Sequence, residues 1–269
     1  MRRLVNRLAV VGLASVAAVA CGHGHGPESV PGEEVTSLSV LAGSQQAWCA
    51  GTGPAVVLIG GIGDDATSAQ WLQVERALAK DMRVCRYDRP GTGASSAPAT
   101  SGRGADELAS ELDAVVRHAA GLGPAILVAH SFGGYLALIY ADRHPDRVSG
   151  LVLVDALDPS VGLLRGTGAR TLGEVAMAKE QLDLQDIQQA AQSVTSLEGD
   201  PALAVLSRSK DTTASWMTGQ RHLAALSGRS DSTVVPEAGH QIPSDAPQAV
   251  VAAVQDVRDR LSVKPPGPR

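Results

Sequence analysis

Residues 128–135 read VAHSFGGY, and the serine at the centre, Ser131, is crowded by small residues on both sides. A serine hydroxyl is a weak nucleophile at neutral pH. It attacks a carbonyl carbon when an imidazole takes its proton and a carboxylate holds that imidazole in the right tautomer. The chain carries seven histidines and 28 acidic residues. The elements around Ser131 therefore have to decide which of them can meet it.

The run Ala125–Ala129 ahead of Ser131 is short, aliphatic and preceded by Gly-Pro, the pattern of a buried strand. Tyr135–Asp142 has apolar residues at helical spacing and stops before Pro145. Ser131 is thus expected on a strand-to-helix turn. The same alternation runs along the chain. Val35–Leu41 and Gln45–Cys49 read as a hairpin, Ala55–Ile59 as a buried strand ahead of Gly60-Gly61-Ile62-Gly63, and Arg83–Tyr87 as the next strand. Leu151–Val154, Ala202–Leu206 and Ser232–Val235 follow as strands. Helical stripes separate them: Trp71, Val74 and Leu78, then Leu108, Leu112, Val115 and Ala119, and at the end Val250, Val254, Val257 and Leu261. This alternation implies an α/β fold with a mostly parallel sheet covered on both faces. In such sheets the loops at the carboxyl ends of the strands carry the chemistry.

On these motifs residues 35–262 resemble the α/β-hydrolase superfamily, which implies an eight-stranded, mostly parallel sheet with helices on both faces. The family's nucleophile turn is Gly-x-Ser-x-Gly; here it reads Ala129-His130-Ser131-Phe132-Gly133, with Ala129 as a small replacement for the first glycine. Gly60-Gly61-Ile62-Gly63 stands where the family has a His-Gly-x loop, with Gly60 in place of the histidine. By that likeness the backbone N–H groups of Ile62 and Phe132 form the oxyanion hole. Tyr87–Ser95 is similar to the family's D-x-x-G-x-G-x-S loop, implying that Asp88 and Arg89 shape the floor of the site. Ala238-Gly239-His240 matches the position of the family's histidine, in the chain order nucleophile, acid, histidine. The resemblance thus implies that His240 is the base. It places the acid at Asp211, after the strand Ala202–Leu206, with Asp155, after the preceding strand, as the alternative. His118 and His144 sit at helix ends and His222 in a surface helix. His130 lies beside the nucleophile with its side chain directed elsewhere. The stretch 156–200 falls where the family inserts a cap, and its helix-prone segments imply a small helical lid.

At 269 residues with 44% hydrophobic content the chain can bury one substantial core. Aromatics make up only 3%, so packing rests on Ala, Val and Leu. The first twenty residues hold three arginines, Arg2, Arg3 and Arg7, and no acid; without them 20 basic residues face 28 acidic ones. An acidic chain with no basic cluster is not expected to bind nucleic acid. The arginines precede an apolar stretch, Leu8–Ala20, too short to span a bilayer comfortably. Residues 1–20 therefore read as a signal peptide. Its end, Ala18-Val19-Ala20-Cys21, resembles a bacterial lipobox, which makes Cys21 the expected lipidation site and anchors the protein in a membrane on the extracytoplasmic side. Residues 21–34 are rich in Gly, Pro and charge and read as a flexible tether, and residues 263–269 as a disordered tail.

The reaction the resemblance implies is cleavage of carboxylic esters through an acyl-enzyme, with no cofactor and no metal. Amide hydrolysis, aminopeptidase action and acyl transfer use the same triad and stay open. A lipoprotein that only binds a ligand is the non-catalytic alternative, and it would not need Ser131 and His240 together. Cys49 and Cys85 are the cysteines left once Cys21 is lipidated, an even pair in an exported chain. In the superfamily's sheet their strands are neighbours, so the resemblance predicts a disulfide between them. Replacing Cys21 by Ser should move the protein out of the membrane fraction and abolish incorporation of labelled palmitate. Unchanged fractionation would refute the lipid anchor.

Overall fold

The computed structural model describes residues 30–160 and 176–262. Residues 1–29, which hold the expected signal peptide, Cys21 and most of the expected tether, residues 161–175 of the expected cap and residues 263–269 of the expected tail lie outside the described residues.

Strands β1 (Glu34–Val40) and β2 (Gly43–Ala50) form an antiparallel hairpin, and β2 pairs antiparallel with β4 (Arg83–Tyr87). From there every pairing is parallel, through β3 (Ala55–Ile59), β5 (Ala125–His130), β6 (Val148–Val154), β7 (Ala202–Arg208) and β8 (Ser230–Val235). The order across the sheet is β1-β2-β4-β3-β5-β6-β7-β8. β3 and β4 have the bounds expected from their apolar runs. β6 and β7 extend beyond theirs, because Val148 and Gly150 in β6 and the polar Ser207 and Arg208 in β7 continue the ladder with paired neighbours. Backbone pairing, not side-chain polarity, sets those ends.

The helices are α1 (Ala69–Leu78), α2 (Ala105–Ala120), α3 (Gly133–Arg143), α4 (Leu184–Ser193), α5 (Ala214–Ala224), the one-turn α6 (Ile242–Asp245) and α7 (Pro247–Ser262). Alternate residues of the central strands point to opposite faces. Val56, Leu58, Ile126, Val128, Val152 and Val154 pack with Trp71, Val74 and Leu78 of α1 and Val250, Val254 and Val257 of α7. Val57, Ile59, Leu127, Ala129, Leu151 and Leu153 pack on the other face with α2, α3 and the Ile187–Ala191 side of α4. Both faces are buried, which is why the strands read as unbroken apolar runs.

Helix α4 belongs to the cap stretch. Asp183 caps it by accepting hydrogen bonds from the N–H groups of Gln185 and Asp186. A π-helical turn at Ala176–Glu180 precedes it.

Cys49 and Cys85 face each other in the β2–β4 register and are joined by a disulfide, with Cα atoms 4.1 Å apart. The bridge closes a loop across 36 positions that contains β3, the 60–63 loop and α1. Constraining a loop of that size in the unfolded chain is worth about 3–4 kcal/mol in the chain-entropy model. The double variant Cys49→Ala/Cys85→Ala should lose about this much in urea unfolding, and a non-reduced digest of the wild type should contain the linked peptide pair. Two thiols that alkylate fully after unfolding without reductant would refute the bridge.

Candidate active site

Strand β5 ends at His130, and the chain turns at once into α3. Ser131 occupies that turn with φ at +55°, left-handed backbone that a residue with a side chain adopts at a cost. The surroundings over-determine it. The Ser131 N–H donates to the Val154 carbonyl at 3.2 Å, and the Ser131 carbonyl accepts from Gly134 and Leu157 at 3.1 and 3.0 Å. Space dictates the glycines that follow: a Cβ on Gly133 would stand 2.6 Å from the Ile59 carbonyl oxygen, and one on Gly134 2.7 Å from Ala156 Cβ. Ala129, where the family has a glycine, is fully buried within the sheet and fits there.

The loop after β8 brings His240 over this turn. Its Nε2 lies 3.0 Å from Ser131 Oγ, and its Nδ1 lies 2.6 Å from Asp155 Oδ2. The carboxylate can only accept, so Nδ1 carries the proton and Nε2 offers a lone pair to the serine hydroxyl. The His240 side chain is partly exposed while Asp155 is fully buried. The three elements meet because β5, β6 and the β8 loop all end at the carboxyl edge of the sheet.

Asp155 therefore holds the place expected for Asp211. It follows β6 directly, its own φ is +41°, and its N–H donates to the Leu206 carbonyl at 2.7 Å. Its Oδ1 accepts from the Arg208 N–H at 3.1 Å and from the Trp216 indole at 2.9 Å, and Arg208 Nη1 stands 3.3 Å from Oδ2. Asp211 is exposed, and the carboxylate on His240 Nδ1 is that of Asp155. The cause is local: the N–H groups of Ser209 and Lys210 both donate to the Ala238 carbonyl, which folds the turn back and faces Asp211 outward. Trp216 and Arg208 carried no motif. The scarcity of aromatics, three tryptophans in the chain, was the one available signal for Trp216.

His130 makes its polar contacts with His240 and Asp64. Its ring packs on the His240 ring at 4.7 Å between centroids, and its Nε2 donates to the His240 carbonyl at 2.8 Å. Its Nδ1 faces Asp64 Oδ2 at 3.7 Å. That carboxylate also accepts from the Gly61 N–H at 2.7 Å and from Gln70 at 3.0 Å. Burial alone would raise the Asp64 pKa; the facing His130 ring, Gln70 and the Gly61 N–H outweigh it and hold the value down at about 2. His222 instead meets the buried Asp158 at 2.6 Å.

Neither the Ile62 nor the Phe132 N–H has an acceptor among the described residues. Gly61 lies against the nucleophile, since a Cβ there would be 3.3 Å from Ser131 Cβ. Asp88 organises the floor: Oδ1 accepts from Ala66 N–H and Oδ2 from Ala94 N–H, at 2.5 and 2.6 Å.

A family model described as the alpha/beta hydrolase fold matches residues 54–173. With the sheet order above, the chain has the α/β-hydrolase fold. Among curated proteins, it is 36% identical over 124 residues to an abhydrolase domain-containing protein, abhd-5.2, of Caenorhabditis elegans, covering 45% of this chain and 27% of that protein. It is also 36% identical over 126 residues to a 2-hydroxymuconate semialdehyde hydrolase of Pseudomonas sp. strain CF600, covering 44% and 42% of the two chains. The chain thus spans well under two thirds of the length of these relatives. Among solved structures, the carboxylesterase CesB of Bacillus subtilis shares the fold with a TM-score of 0.64 at 16% identity, over 84% of this chain and 91% of that one.

Replacing Asp155 by Asn should lower kcat for a p-nitrophenyl ester by about 10⁴-fold, as loss of the imidazole-orienting carboxylate does elsewhere. Asp211→Asn should stay within about twofold of wild type. The reverse order in steady-state assays would return the acid to Asp211.

Proposed function

We propose that this protein is a serine hydrolase that cleaves carboxylic esters through an acyl-enzyme, and that it works outside the cytoplasm on a lipid anchor at Cys21. The observation that carries the reading is the continuous path from Ser131 Oγ to His240 Nε2 at 3.0 Å and from His240 Nδ1 to Asp155 Oδ2 at 2.6 Å. Ser131 Oγ attacks the ester carbonyl carbon while its proton passes to His240 Nε2. The imidazolium is held by Asp155, and the new oxyanion accepts from the Ile62 and Phe132 N–H groups. Each such donor is worth about 3–4 kcal/mol because it meets charge that exists only in the transition state. Collapse breaks the bond to the alkoxy group, which leaves as the alcohol with the proton from His240. Water then attacks the acyl-serine, gives its proton to His240, and Ser131 recovers a proton as the acid departs.

A curated relative named as a hydrolase supports the hydrolytic reading. A disulfide inside the sheet suits an oxidising compartment, which supports export. A fluorophosphonate probe should label the wild type at Ser131, and p-nitrophenyl esters of graded chain length should define the acyl preference. Ser131→Ala should lose labelling and turnover, leaving at most some 10³-fold over water from the oxyanion hole and binding. Wild-type turnover in Ser131→Ala would refute the assignment.

A further inference from the structure

The 60–63 loop has one side chain beyond glycine, so it cannot orient its own peptide groups by packing. Buried charges from elsewhere do this instead. Arg89 Nη1 donates to the Gly60 carbonyl at 3.0 Å and Nη2 to the Gly61 carbonyl at 2.6 Å. Glu180 Oε1 accepts from the Gly63 N–H at 2.8 Å. The two side chains pair with each other, Arg89 Nε to Glu180 Oε2 at 2.7 Å and Nη2 to Oε1 at 3.1 Å. Both are buried, Glu180 completely. Burial opposes the charge on Arg89, and the Glu180 carboxylate more than offsets this, so the guanidinium stays protonated.

A trans peptide points its C=O and N–H in opposite directions. Holding the Gly61 carbonyl on Arg89 therefore fixes the direction of the Ile62 N–H, and a cation on that carbonyl polarises the same peptide into a stronger donor. Glu180 stands in the π-helical turn that precedes α4, within the stretch 156–200. Arg103 Nη1 donates to its carbonyl. Gly91 lets the segment approach, because a Cβ there would run into the Lys179 carbonyl. A buried ion pair is weak evidence of added stability, since apolar side chains of similar volume pack as well. Here its hydrogen-bonding capacity is directed at one loop.

We propose that Arg89 and Glu180 are positioning residues for the oxyanion hole, and that Glu180 ties the segment leading into α4 to it. This rests on the serine-hydrolase reading above. Their removal should act on the transition state and leave substrate binding alone.

The test uses Glu180→Gln and Arg89→Lys with p-nitrophenyl butyrate and a trifluoromethyl ketone, whose hemiketal oxyanion mimics the transition state. Either variant should lower kcat about 10- to 100-fold with KM within about threefold, and weaken the ketone by the same factor. Glu75→Gln is the control: it breaks the equally buried Glu75–Arg86 pair, which does not touch the 60–63 loop. It should lower the melting temperature and leave kcat unchanged. Wild-type kcat in folded Glu180→Gln or Arg89→Lys, a loss confined to KM, or an equal kcat loss in Glu75→Gln would overturn the proposal. In the wild type, ketone binding should slow amide exchange in residues 176–183 together with 60–66. Unchanged exchange in 176–183 would overturn the tie whether or not the variants fold. Absence of esterase activity and of ketone inhibition in the wild type would instead overturn the serine-hydrolase reading itself.

Discussion

The left-handed turn at Ser131 is the constraint around which the rest of the site is arranged. A side chain in that conformation persists when its neighbours leave no alternative. Three backbone hydrogen bonds reach the turn from Val154, Gly134 and Leu157, so the ends of β6 and α3 are committed to it. The two glycines after the serine allow α3 to start directly against the Ile59 carbonyl and Ala156. The turn therefore sets where β3 ends, where β6 ends and how α3 leaves the sheet. Those ends in turn carry the 60–63 loop and Asp155.

Around this turn, the chain sets several buried ion pairs into a core of Ala, Val and Leu. Arg86 pairs with Glu75 and Glu33, Arg89 with Glu180, and Arg103 with Glu111. Each guanidinium also donates to a loop carbonyl: Ala66, Gly60 and Gly61, or Pro90. Such pairs contribute geometry more than net stability. Irregular backbone at the carboxyl edge has carbonyls that no strand partner satisfies, and the planar fork of arginine meets several of them at once. Asp64 does the complementary task with a carboxylate, accepting from the Gly61 N–H and Gln70.

Much of this was legible in the chain, and the boundary of legibility has a physical basis. The strands β3 and β4, buried on both faces, announced themselves as apolar runs, and Ser131 by its glycines. Resemblance supplied His240 and the cysteine pairing, since neither follows from local pattern. The choice between Asp155 and Asp211 turned on how far β7 continues. Ser207 and Arg208 are polar, yet they pair with Val234 and Val235, so the strand outlasts its apolar run. The turn that follows then closes on Ala238. Nothing in the spelling of 207–211 encodes that long-range hydrogen bond. Glu180 was hidden for a related reason. A glutamate in a helix-prone stretch reads as solvated surface, and its burial depends on Arg89, which lies 91 positions away.

An open sheet, unlike a closed barrel, ends in two rows of backbone groups with no strand beyond them. β8 forms one such border, and its residues Ser230, Asp231, Ser232 and Thr233 are small, polar or charged, with most of them exposed. β1 forms the other, with Glu34 at its start and Ser37 and Ser39 between its apolar positions. Polar and charged edge strands discourage a second molecule from adding its own strand to the ladder. The same open sheet that gathers the site along one side thus carries its protection against self-association along its two outer strands.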